Sequence, residues 1–131
     1  MAPGKTLLLM IGLSSGLLLG DSRAAMQDDG RMVRLAKLTI DLAHLEDYKS
    51  ALKEEVEASV RLEAGVLTLF AVSEKEHPAR FTILEIYASR AAYEQHIQTP
   101  HFLKYKTATA HMVKALELVD AMPLVPEMKI K

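Results

Sequence analysis

Between residues 32 and 125 the hydrophobic period changes from two to about 3.6 and back, and then does so again. Residues 32–41 (MVRLAKLTID) alternate and carry β-branched side chains, which predicts a strand. From Leu45 the apolar positions Tyr48, Leu52, Val56 and Val60 fall three or four apart, with Glu54, Glu55, Glu57 and Arg61 between them. That spacing predicts an amphipathic helix whose stripe needs a flat apolar partner. Glu63-Ala64-Gly65 ends it, with the glycine at a C-terminal turn position.

A second strand is predicted over 66–73 (VLTLFAVS); being apolar on both faces, it is expected at the centre of the sheet. After the polar loop 74–79 a third strand covers 80–88, with Phe81, Ile83, Glu85 and Tyr87 on one face and Thr82, Leu84 and Ile86 on the other. Ser89 is placed to cap a helix over 90–98. Thr99-Pro100 then restarts it, threonine capping and proline taking the first helical position, with Phe102, Tyr105, Met112 and Val113 on its inner side. A last strand is expected over 116–125, and Pro123 marks it as an edge or a strand end. The order β-α-β-β-α-β is the split βαβ plan of a ferredoxin-like α+β domain: one antiparallel sheet, helices on one face. Leu67, Leu69, Leu84 and Ile86 are too apolar to face water on the uncovered side. A second copy packed sheet to sheet is therefore expected, and the chain is read as a homodimer.

Composition limits the rest. With 131 residues, half of them apolar, the chain holds one domain. Lys and Arg number 16 against 17 Asp and Glu, with no basic run, so no nucleic-acid partner is expected. There is no cysteine, which excludes disulfides, thiolate catalysis and cysteine-ligated zinc. Lys5, the uncharged Leu-rich stretch 6–20 and Ser22-Arg23-Ala24 follow the n-h-c order of a signal peptide. The stretch is shorter than the roughly 20 residues that span a bilayer. Residues 1–24 are accordingly read as a signal peptide, 25–31 as a spacer and 32–131 as the domain. The mature protein is expected in the periplasm or secreted, with no stable membrane association.

Three motifs then narrow the family. Glu63-x-Gly65-x-Leu67, Phe81-x-Ile83-x-Glu85-x-Tyr87 and Ala92-x-x-x-His96-x-x-Thr99-Pro100-His101-Phe102 together resemble the antibiotic-biosynthesis-monooxygenase domain family. Within it they resemble the bacterial quinol monooxygenases and the autoinducer-2 degrading isomerases. The resemblance runs from Met32 to about Val125. It implies a dimeric α+β barrel with a pocket between sheet and helices, and members that oxygenate quinols or aromatic polyketides with no metal or flavin. Haem-degrading relatives on this fold carry a tryptophan and an asparagine beside a histidine; this chain has neither.

Oxygenation without a cofactor requires an electron-rich substrate, so the protein must deprotonate a phenol or quinol, hold the anion and keep water out. His96 and His101 are the candidate bases, with Glu85 orienting one imidazole. Tyr87 and Tyr105 are candidates to donate to substrate oxygens, and Phe70, Phe81 and Phe102 to flank a flat ring. No metal site is expected: His96 and His101 are five apart across a helix break, and no acidic residue has ligand-like spacing to them. The expected function is a cofactor-independent monooxygenase using molecular oxygen on a quinol or related enolisable small molecule. The alternatives are an isomerase of the autoinducer-2 type, which a cationic pocket would favour, and a non-catalytic, stress-associated binding domain.

Overall fold

The computed structural model describes residues 30–127. The expected signal peptide and all but the end of the spacer lie outside the described residues, as does the tail 128–131. Four strands, β1 (Met32–Ile40), β2 (Val66–Ser73), β3 (Arg80–Tyr87) and β4 (Val113–Ala121), and three α-helices, α1 (Leu45–Leu62), α2 (Arg90–His96) and α3 (Pro100–Thr109), make the expected ferredoxin-like α+β arrangement. The strands form one antiparallel sheet in the order β2-β3-β1-β4.

The register divides the sheet into two faces. On β1, Arg34, Ala36, Leu38 and Ile40 point inward, opposite Glu85, Ile83 and Phe81 of β3. The stripe of α1 closes over them, so that Ile40 (1% exposed) and Tyr48 (0%) are sealed. Each aliphatic side chain buried this fully is worth about 1.5–3 kcal/mol. The Tyr48 hydroxyl is also satisfied, 2.7 Å from the Tyr105 hydroxyl of α3. Both predicted caps are present: Ser89 Oγ accepts from the Ala92 amide and Thr99 Oγ1 from that of Phe102.

Several expectations are corrected. β2 is an edge strand, not a central one. Its two apolar faces arise because Leu69 packs toward the core while Phe70 and Val72 lie on the outer face beside Leu84 and Thr82. β4 begins at Val113 and ends at Ala121, two residues before Pro123; Met112 belongs to a 3₁₀ turn and not to the helix. Leu69 leaves the outer face, whose apolar residues are Val33, Leu35, Leu84, Ile86, Phe70, Val72 and Val119.

Gly65 has a different reason from the one expected. Its φ is not positive, so it is not a left-handed helix cap. A Cβ there would sit 2.6 Å from Cβ of Ala92, and the glycine lets the start of β2 approach α2. Gly65→Ala should therefore lose about 1–3 kcal/mol through overpacking. Adding Ala92→Gly should restore part of it in urea unfolding. A Gly65→Ala protein as stable as wild type would contradict this account.

Candidate active site

The end of α1, the break between α2 and α3, and the inward face of β3 meet at one place. Glu63 is the C-cap of α1, His96 the last residue of α2, and His101 the second residue of α3. One oxygen, Glu63 Oε2, lies 3.0 Å from Nδ1 of His96 and 2.6 Å from Nε2 of His101. The Thr99-Pro100 restart makes this possible, because it turns the chain between the two imidazoles. Burial alone would raise the Glu63 carboxyl, but the two imidazole hydrogen bonds and charges hold it below the usual carboxylate range. The other nitrogen of His96, Nε2, lies 3.5 Å from Glu55 Oε1, and Glu55 accepts a 2.7 Å hydrogen bond from Ser59 Oγ. His96 is thus a buried imidazole with a carboxylate at each nitrogen.

Beside it lies a cavity of about 310 Å³ between the inner sheet face and the helices. Its walls are mostly apolar, from Ala36, Leu38, Leu52, Val56 and Ile83. Along the inner face of edge strand β4, Leu116 and Leu118 line it while remaining about half exposed. Its polar groups include Arg34, Glu55, Glu85, Tyr87, His96 and Tyr105. Arg34 is fixed by two hydrogen bonds to Asp120, of 2.9 and 3.0 Å, and lies 4.8 Å over the Tyr93 ring.

The sequence-derived candidates separate. His96, Glu85, Tyr87, Phe102 and Tyr105 line the cavity. His101 does not; it shares Glu63 with His96, and the two ring centroids lie 6.4 Å apart. Glu85 does not orient an imidazole: its carboxylate accepts from the Tyr87 hydroxyl, and Glu63 takes the orienting role. Phe70 is not a pocket residue: its register partner is Leu84, so it lies on the outer face, 61% exposed, and Phe81 is packed in the core against Tyr48 instead. Glu63, Glu55 and Arg34 were not among the candidates. The expectation that no acidic group is placed to join the histidines in a ligand set is also overturned, since Glu63 stands between them.

With this geometry in view, the domain is of the ferredoxin-like type that places a pocket between its sheet and helices. The antibiotic biosynthesis monooxygenase family model matches residues 31–108, and the chain belongs to that family. The protein is similar to a Bacteroides thetaiotaomicron structure provisionally named an antibiotic biosynthesis monooxygenase. The two share 58% identity and a TM-score of 0.78, over 79% of this chain and 98% of that one. A monooxygenase, also provisionally named, from Lactobacillus acidophilus matches at 28% identity and TM-score 0.70, over 73% of this chain and 45% of that one. A Nitrosomonas europaea protein of the same provisional family name shares the fold at 23% identity and TM-score 0.70, over 76% of this chain and 95% of that one. A comparison with proteins of curated function found no match. No helix among the described residues is long and apolar enough to cross a membrane.

Burial raises the Glu85 carboxyl above its ordinary value, against the lowering effect of the Tyr87 hydrogen bond and of His96 and Arg34. Unfolding returns it to the ordinary value. Between the two values the unfolded chain binds fewer protons, so this group's contribution to stability falls as pH rises. The fall begins near the ordinary glutamate value and ends above the folded one. Glu85→Gln keeps an acceptor for Tyr87 and should flatten that fall in urea unfolding across this range. A slope identical to wild type would contradict the assignment.

Proposed function

We propose that the cavity binds a flat phenolic or quinol ring and that His96 is the general base of a cofactor-independent monooxygenase. The observation that carries this reading is the buried His96 imidazole, held at Nδ1 by Glu63, on the wall of a largely apolar cavity. With Nδ1–H donated to Glu63, Nε2 keeps its lone pair for the substrate hydroxyl proton. The imidazolium so formed lies between the Glu63 and Glu55 carboxylates. The quinol anion then gives electrons to molecular oxygen. One oxygen atom enters the ring, the O–O bond breaks, and the second atom leaves as water, converting quinol to hydroxyquinone. Tyr105 supplies a donor when its hydroxyl accepts from Tyr48, Tyr87 keeps its proton on Glu85 and lines the wall, and Phe102 gives an aromatic flank.

The isomerase reading is not favoured. The cavity's cations, Arg34 and Lys106, are matched by the acids Glu55 and Glu85, and Arg34 is already held by Asp120. That is no cationic cluster for a phosphorylated substrate. The same proposal includes a homodimer through the outer sheet face, supported by Phe70 and Val72 standing 61% and 47% exposed there. Leu84→Asp should weaken assembly in sedimentation, and a wild-type monomer at micromolar concentration would refute it. It also includes export, with residues 1–24 removed, to be read from the N-terminal mass of the mature protein.

The experiment is oxygen uptake with a reduced naphthoquinol, scored above the uncatalysed rate. Wild type should accelerate it, and His96→Ala should lose about 100-fold or more. An uncatalysed rate with wild type, or full activity in His96→Ala, would overturn the reading.

A further inference from the structure

The Glu63, His96 and His101 cluster has a second use that the proposed chemistry does not require. Glu63 Oε2, His96 Nδ1 and His101 Nε2 all lie within 4.8 Å of one another. A tetrahedral site with bonds of about 2.1 Å separates its ligand atoms by about 3.4 Å. The observed contacts of 3.0 and 2.6 Å to the shared oxygen are already on that scale. The three groups come from three helix ends rather than one flexible segment. Their side chains are only 4%, 14% and 15% exposed for His96, Glu63 and His101.

An outer shell is in place as well. The far nitrogen of His96 faces the Glu55 carboxylate at 3.5 Å, and Ser59 fixes that carboxylate in turn. Histidine ligands commonly have this arrangement: one nitrogen on the ion, the other hydrogen-bonded to a carboxylate. Two imidazoles and one carboxylate, with coordination positions left for water, suit zinc and neighbouring divalent transition ions rather than calcium or magnesium, which prefer oxygen. We propose that Glu63, His96 and His101 form a divalent transition-metal site, with zinc as its first candidate ion.

The site and base catalysis by His96 exclude one another. On the function proposed above, His96 without the ion gives its Nδ1 proton to Glu63 and leaves Nε2 bare. An ion takes the Nδ1 lone pair, the imidazole proton moves to Nε2, and Nε2–H then points at Glu55. The nitrogen offered to a substrate hydroxyl no longer accepts, so a bound ion holds the base off.

The test is calorimetric titration of the chelator-treated full-length protein with zinc, repeated with cobalt(II) to read ligand-field absorption. Wild type should bind one ion per chain. His101→Ala should lose that binding, and Glu55→Gln should weaken it about 10–100-fold by removing the outer-shell carboxylate. Circular dichroism confirms that each variant is folded. Absence of saturable binding in wild type overturns the proposal. So does binding that survives in folded His101→Ala, which would place the ion elsewhere, for example at the His44–His111 pair, whose ring centroids are 4.9 Å apart. Inhibition of quinol oxidation by zinc rests on the function proposed above. Failure of inhibition with binding intact would count against His96 as base, not against the metal site.

Discussion

A single carboxylate organises the cavity end of this domain. Glu63 closes α1, and its Oε2 receives the imidazoles that end α2 and begin α3. Hydrogen bonds to a charged acceptor are roughly twice as strong as neutral ones, and inside a mostly buried site they fix direction as well as distance. Without Glu63, nothing else among the described residues hydrogen-bonds His96 at Nδ1. The geometry of the cavity wall therefore depends on a residue outside the cavity. Gly65, two positions on, serves the same junction by letting β2 approach Ala92 of α2. The Glu-x-Gly motif thus joins α1 to α2 by a charge and by a missing side chain.

The sheet explains why the cavity lies where it does. Its inner face is packed by α1 at one end, around Ile40, Tyr48 and Phe81. At the other end the side chains on the floor become polar, with Arg34 beside Glu85 and Asp120. The short α2 and the broken connection to α3 roof this polar end without filling it. What remains is a space with apolar walls and a few fixed polar groups, the form that small-molecule sites usually take. The outer face carries a continuous apolar band from Phe70 through Leu84 and Leu35 to Val119, and its charges, Lys37, Glu117 and Arg80, lie to one side of that band.

Much of this was legible in the sequence. Strand β2 and the starts of α2 and α3 were readable from period, capping residues and proline, because those are local rules. The order of strands was not. An edge strand flanked by a second apolar face has the same pattern as a central one, which is why β2 was misplaced. Glu63 was visible only as part of a turn, since its partners are 33 and 38 residues away. Glu55 left a clearer trace: it falls three after Leu52 and seven after Tyr48, on the apolar stripe of α1. Arg34 left a similar one by alternating with Ala36, Leu38 and Ile40. Phe70 was assigned to the pocket because aromatic residues suit flat ligands, and only the register with β3 shows that Leu69 takes the inward place.

The central claim is that Glu63 takes the Nδ1 proton of His96 so that Nε2, beside the cavity-lining Glu55, is free to accept a proton. Long-range proton–nitrogen correlation NMR on the metal-free protein reads the imidazole tautomer directly. The account predicts that neutral His96 carries its proton on Nδ1 with Nε2 bare, and that Glu63→Gln weakens this preference. A neutral His96 with its proton on Nε2 in the metal-free wild type would contradict the account.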